Sequence, residues 1–205
     1  LNAETRSLPF TESNNENDFR KIIDAKFNRE GRDPEEIADE LVETVFEKSM
    51  LLQHPRFFSF VTSAVSPYSL AGSVLCDIYN LNNGGFHLAP GAAIIEEKMI
   101  KWMGSLAGFG EECGGVFTSG GSLSNLTGCI AARNTKLEEK DYPLGTAYVS
   151  DQTHSSVKKA LKLMGVYKDN IAVIPTDDDF RMRTDLLEEK IKEDIKNGKK
   201  PFLVI

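Results

Sequence analysis

The residues of this sequence best suited to chemistry are a glycine pair followed by a serine, Gly120–Gly121–Ser122, and a histidine some thirty positions later, His154. The glycines follow an apolar stretch, residues 115–119, in which Val116 and Phe117 favour extended structure; a short buried strand is predicted there. Ser122 is predicted to open a helix, because Leu126 and Ile130 recur at helical spacing after it. A strand, a glycine turn and a helix start together make an anion cradle. The first N–H groups of a helix have no intrahelical acceptor, the helix dipole adds partial positive charge, and glycine lets a phosphate or carboxylate come close to the backbone. His154 stands where a predicted strand hands over to a helix, among Ser150, Thr153, Ser155 and Ser156. An imidazole there suits stacking on an aromatic ligand or proton exchange near neutral pH.

The glycine turn departs from the common nucleotide patterns. It lacks the third glycine of the dinucleotide fingerprint, and no Gly-Lys-Ser/Thr follows. Gly120–Gly121–Ser122–Leu123–Ser124 nearly matches a nucleophile elbow, with serine in place of the final glycine. A serine hydrolase using Ser122 is therefore a rival reading, weakened because Asp151 and His154 lie on one turn rather than in separate elements. A plain tight turn with a helix cap is the bland alternative. Metal-ligand spacing is absent, since His54, His87 and His154 are far apart. Cys76, Cys113 and Cys129 are scattered and are read as buried, reduced thiols of a cytoplasmic protein.

The elements that must position these residues alternate. Strands are predicted at 115–119, 146–150, 171–175 and 202–205. Helices follow Ser122, span 155–164, and run from a Thr184 cap to about Asn197, where Gly198 closes the last. Strand and helix in repetition favour an open, largely parallel sheet with helices on both faces, and such sheets bind ligands at the carboxyl ends of their strands. Ser119–Ser122 and Ser150–His154 both follow such ends, so the two sites are expected to meet at one crevice. The earlier chain reads as helical: 18–29 with Phe19, Ile22, Ile23 and Phe27, then Asp33 capping a helix to about Met50, then 67–80 and 92–106. Residues 82–91, with paired Asn and Gly and then Pro90, read as a loop. Phe57, Phe58 and Phe60 crowd into four positions, which implies either core packing or an apolar substrate pocket.

A net charge of −7 over 205 residues, with no basic face to offset it, argues against a nucleic acid partner. No apolar run approaches membrane-spanning length.

At TSGGSLSNLTGCIAAR and again at SDQTHSSVKKA, the chain resembles the group II pyridoxal-phosphate-dependent amino-acid decarboxylases, with HPRFFSF, LAPGAAIIEEKMIKWMG and PFLVI in matching order. The bacterial aromatic-L-amino-acid branch is the nearest in pattern. The resemblance implies an α/β fold of type I, like aspartate aminotransferase, in a homodimer with pyridoxal 5′-phosphate at the subunit boundary. It implies that Gly121 and Ser122 hold the cofactor phosphate and that His154 is both the catalytic and the ring-stacking residue. It further implies that Phe60, Val61 and Ser63 line the substrate pocket, and that Phe86 and Leu88 lie in a loop reaching the partner's site. Residues 1–80 would be a dimer-wrapping helical segment and 81–205 the first part of the large cofactor domain. The expected reaction is decarboxylation of an amino-acid substrate, aromatic in the branch it resembles. The family's Schiff-base lysine, the aspartate for the pyridine nitrogen and a mobile tyrosine loop match nothing in residues 1–205. The expectation is thus a portion of a longer enzyme, inactive without the part that carries the lysine; an inactive interaction module is the non-enzymatic alternative.

Overall fold

The computed structural model describes residues 31–61 and 64–205, together with Glu16, Asn17, Arg20 and Ile23. The helix predicted over 18–29 lies almost wholly outside the described residues. The chain divides into two units, Leu1–Leu81 and Asn82–Ile205.

In the first unit, helix α1 (Pro34–Leu41) starts as its sequence dictates. Asp33 Oδ1 accepts from the N–H groups of Glu35 (2.8 Å) and Glu36 (3.4 Å), and Pro34 fills the first position, where no donor is needed. The helix predicted to continue to about Met50 instead widens into a π turn over Val42–Phe46, with Glu47 N–H donating to Val42 O. Thr44 Oγ1 donates to Glu40 O at 2.6 Å, a side-chain competitor for the helical ladder in that turn. Arg32 pairs with Glu40 at 2.6 Å, which raises the guanidinium pKa. His54 is buried, and its Nδ1 accepts from Arg56 N–H at 3.1 Å. Helix α2 (Pro67–Tyr79) ends at Asn80, whose φ of 40° is left-handed.

The second unit carries the sheet. Helix α3 (Pro90–Leu106) begins two residues before the predicted start, with Pro90 at its first position. Helix α4 (Gly121–Lys136) is followed by strand β1 (Gly145–Ser150), helix α5 (Ser155–Leu163), strand β2 (Ile171–Ile174), helix α6 (Thr184–Lys196) and strand β3 (Lys200–Val204). The strands are parallel in the order β2-β1-β3, as the alternating pattern requires. Ala147 pairs with Ile171 and Ser150 with Ile174 on one side. Gly145 pairs with Lys200 and Tyr148 with Val204 on the other, with a bulge between Thr146 and Ala147.

The central strand β1 separates two faces. Ala147 and Val149 join Cys129 of α4, Val157, Ala160 and Leu161 of α5, and Phe202 in the core. Tyr148, of opposite parity, turns to α6, where its hydroxyl donates to Asp194 Oδ2 at 3.0 Å. Asp194 is 1% exposed and also faces Lys190 (3.2 Å) and Lys199 (3.6 Å). Burial and the Asp194 carboxylate raise the Tyr148 pKa.

Three expectations need correction. Residues 115–119 form no strand: Val116 and Phe117 are 62% and 51% exposed, and no described strand pairs with them. The segment instead runs beside α3, where a Cβ added at Gly115 would meet Ile100 Cγ2 at 3.0 Å. Extended apolar sequence becomes a strand only with a ladder partner for its backbone groups. Thr184 is the first helical residue of α6 rather than its cap; Arg183 holds the cap position, and its guanidinium pairs with Asp185, holding that carboxyl down at about 2. Of the three thiols, only Cys129 is buried; Cys76 is exposed and Cys113 half-buried.

Candidate active site

Helices α4 and α5 lie side by side and run in the same direction. Near their starts, Asn125 Nδ2 donates to Ser156 Oγ at 2.9 Å. Near their ends, Arg133 Nη1 donates to Met164 O at 2.6 Å, with its guanidinium stacked 4.1 Å above the Tyr142 ring. This pairing brings the N-terminal turn of α4 and the N-terminal turn of α5 to one end of the sheet, the end where β1 finishes at Ser150. The glycine turn and His154 therefore stand at the same end of the sheet.

Gly120 precedes α4 with φ 157° and ψ 170°, a conformation essentially confined to glycine. Its carbonyl accepts from Leu123 N–H (3.0 Å) and Ser124 N–H (3.1 Å), and Thr118 Oγ1 bridges to Ser124 Oγ at 2.5 Å, so the turn is pinned from inside. Gly121 N–H, Ser122 N–H and Ser122 Oγ have no hydrogen-bond partner among the described residues, and a Cβ added at Gly121 would meet open space. Three donors at the positive end of a helix, with room in front of them, suit a phosphate.

His154 occupies the cap position of α5, and its Nδ1 accepts from Ser156 N–H at 3.2 Å. Ser156 Oγ lies 2.7 Å from the same nitrogen. His154 is an exposed residue while Ser156 is 6% exposed, so a buried serine anchors the ring at Nδ1. Below the strand end, Ser150 N–H donates to Thr153 Oγ1 at 2.9 Å, which sets the turn that delivers the histidine.

The hydrolase geometry is not formed. Asp151 Oδ2 turns toward Thr176 N–H at 3.5 Å, and no hydrogen bond joins Asp151 to His154 or His154 to Ser122. A nucleophilic serine needs its base within hydrogen-bond reach.

Residues 17–205 match the pyridoxal-dependent decarboxylase conserved domain. The chain belongs to this family. Among curated relatives, it is 35% identical over 200 residues to the aromatic-L-amino-acid decarboxylase of Bacillus atrophaeus, covering 98% of this chain and 42% of that protein. It is 28% identical over 193 residues to the cysteine sulfinic acid decarboxylase of Mus musculus, covering 91% of this chain and 39% of the relative. The crystal structure of mouse CSAD superimposes with a TM-score of 0.85 at 28% identity, covering 95% of this chain and 42% of that one. Catharanthus roseus tryptophan decarboxylase in complex with L-tryptophan gives 0.88 at 24% identity over 98% of this chain and 46% of that one, a likeness of fold. The fold is therefore the type I fold of pyridoxal-phosphate enzymes, and the family's cofactor is pyridoxal phosphate. The chain spans about two fifths of the length of the relatives it matches.

The donor set at α4 fits the phosphate of that cofactor, and the imidazole of His154 fits a flat aromatic ring. The other expected site residues are spread out. Phe60 and Val61 belong to the first unit; Phe60 is 83% exposed with a left-handed φ of 61°, tilted against the Phe57 ring at 6.0 Å. Phe58 is exposed as well, so core packing of the phenylalanine cluster is not seen within the described residues. Ser63 lies outside the described residues. Phe86 and Leu88 are exposed in the loop before α3, which Asn83 ties to Glu96 at 2.7 Å. A cavity of about 510 Å³ opens between α3 and the glycine turn, lined by Ile100, Met103, Phe109, Phe117, Gly121 and Ser124; His154 is not on its wall.

Sequence reasoning overlooked Asn125 and named Ser156 only as a neighbour of His154; the pair joins the starts of α4 and α5. Asn125 carries no local signal, because its partner is 31 positions away.

Proposed function

We propose that the whole protein is a pyridoxal-phosphate-dependent decarboxylase acting on an L-amino acid, aromatic in preference, and that the described turns of α4 and α5 hold the cofactor. The observation that carries this reading is the hydrogen-bonded union of a three-donor anion cradle with an exposed, anchored imidazole. Gly121 N–H, Ser122 N–H and Ser122 Oγ would bind the phosphate, each a charge-assisted hydrogen bond. The His154 ring would lie on the pyridine face and fix its tilt. Bound pyridoxal phosphate supplies the electron sink that takes up the pair left when carbon dioxide departs. The α4 and α5 dipoles, both positive toward the site, would favour the cofactor's dianionic phosphate over its protonated form. His154 is a catalytic residue in this reading, able to donate a hydrogen bond to a substrate carboxylate near the ring.

The aromatic preference rests on the similarity to the Bacillus atrophaeus enzyme; Phe60 and Val61 of the first unit, and separately Phe86 and Leu88 of the second, are exposed apolar side chains of the kind that suits an indole or phenol ring. The exposed apolar side chains of α2, including Tyr68, Leu70, Val74, Leu75 and Ile78, support a homodimer whose partner covers them. A cytoplasmic location accords with three unpaired thiols.

The test is carbon dioxide release by the whole protein loaded with pyridoxal phosphate, on a panel of L-tryptophan, L-phenylalanine, L-tyrosine, L-glutamate and L-cysteine sulfinate. Turnover led by the aromatic substrates is expected. Turnover led by cysteine sulfinate or glutamate would overturn the aromatic preference, and release from none of them would overturn the decarboxylase.

A further inference from the structure

We infer that Asn125 is a positioning residue that acts through Ser156 to hold His154 in a single tautomer, with the proton on Nε2. The argument follows the direction in which each group can donate. Ser156 N–H is a donor only, and it lies 3.2 Å from His154 Nδ1, so that nitrogen presents a lone pair. The amide nitrogen of Asn125 is also a donor only, and it lies 2.9 Å from Ser156 Oγ, so the hydroxyl oxygen accepts there. The hydroxyl proton is then free to point at Nδ1, 2.7 Å away. His154 Nδ1 thus accepts from both the backbone and the side chain of one residue, and the neutral ring carries its proton on Nε2.

The arrangement has a direction: α4 sets Ser156, Ser156 sets the ring. Asn125 stands one helical turn beyond Gly121 and Ser122, so the element proposed to grip the phosphate also orients the ring face. Its consequence for catalysis rests on the proposed function, since Nε2–H is the ring's one remaining donor and would serve a substrate carboxylate. The tautomer itself does not depend on that reading.

The test is nitrogen-15 NMR of histidine-labelled whole protein without cofactor, at a slightly alkaline pH where imidazole is neutral. The three histidines, His54, His87 and His154, are distinguished by the signal lost in His154→Gln. The wild type is expected to show Nδ1 of His154 as an unprotonated ring nitrogen and Nε2 as a protonated one. Asn125→Asp, nearly the same shape but able only to accept, draws the Ser156 proton to itself and leaves an Oγ lone pair facing Nδ1, which makes a protonated Nδ1 competitive. Both resonances should then move toward values averaged over the two tautomers. A protonated Nδ1 in the wild type would overturn the inference, as would an unchanged pair of resonances in folded Asn125→Asp. Should that variant fail to fold, Ser156→Ala keeps the backbone donor and removes the hydroxyl. The Nδ1 resonance should shift while remaining that of an unprotonated nitrogen, and an unmoved resonance would refute the role of the hydroxyl. A wild-type protein with the expected tautomer that binds no pyridoxal phosphate would refute the proposed function and leave this positioning role standing.

Discussion

His154 caps helix α5 with its own ring, at a position where Ser, Thr, Asn and Asp are the usual choices. An imidazole can accept from the helix N–H as those residues do, and it adds a flat π face that none of them has. The two roles separate by substitution. His154→Asn should keep the cap, so that stability in urea changes by no more than about 0.5 kcal/mol. The same variant should bind pyridoxal phosphate several-fold more weakly, since ring stacking contributes about 0.5–1.5 kcal/mol. Equal loss of both would mean that the ring serves only the helix. Gly120 makes a second prediction at this scale. Its φ of 157° with ψ of 170° suits glycine alone, so Gly120→Ala should lower stability by about 1–3 kcal/mol, read from the urea midpoint.

At the scale of elements, β1 is the hinge between two different kinds of packing. Its α4/α5 face is apolar, and Leu161→Ala at that fully buried position should cost about 2–5 kcal/mol. Its α6 face is polar, and there Tyr148 donates to the buried Asp194. Tyr148→Phe leaves that carboxylate oxygen without its hydroxyl donor, an expected loss of about 1–3 kcal/mol. The Tyr148 pKa is raised in the folded protein, so its contribution is complete below the ordinary tyrosine value of about 10 and fades as pH climbs past it. Wild-type stability should therefore fall more steeply above that pH than the stability of Tyr148→Phe; parallel curves would contradict the assignment. The alternation of β1, α5, β2, α6 and β3 was legible in the sequence, because each element carries its own periodicity and boundary residues. So were the positions of Gly121 and Ser122 at a helix start and of His154 between a strand and a helix, because glycine turns and strand ends are local signals. Residues 115–119 misled because strand formation needs a partner that local composition does not reveal. Asn125 stayed hidden because its role exists only once α4 and α5 lie in parallel.

At the scale of the whole molecule, the chain is a shared scaffold rather than a complete statement of specificity. The relatives it matches include decarboxylases of aromatic, sulfinic and acidic amino acids, all over about two fifths of their length. What this stretch has in common with them is the type I fold. Proposed here for its site are a phosphate grip on one helix, a ring support on the next, and a hydrogen bond joining them. The exposed apolar side chains of α2 predict that the whole protein sediments as a dimer; a monomer at micromolar concentration would contradict the proposed subunit boundary. The most direct test of the account is a titration of pyridoxal phosphate into the whole protein, followed by the cofactor's absorbance, for the wild type and for Ser122→Ala. Loss of one charge-assisted hydrogen bond should weaken binding about tenfold or more. Equal affinity in the two proteins, or no binding by the wild type, would contradict the claim that the start of α4 holds the cofactor.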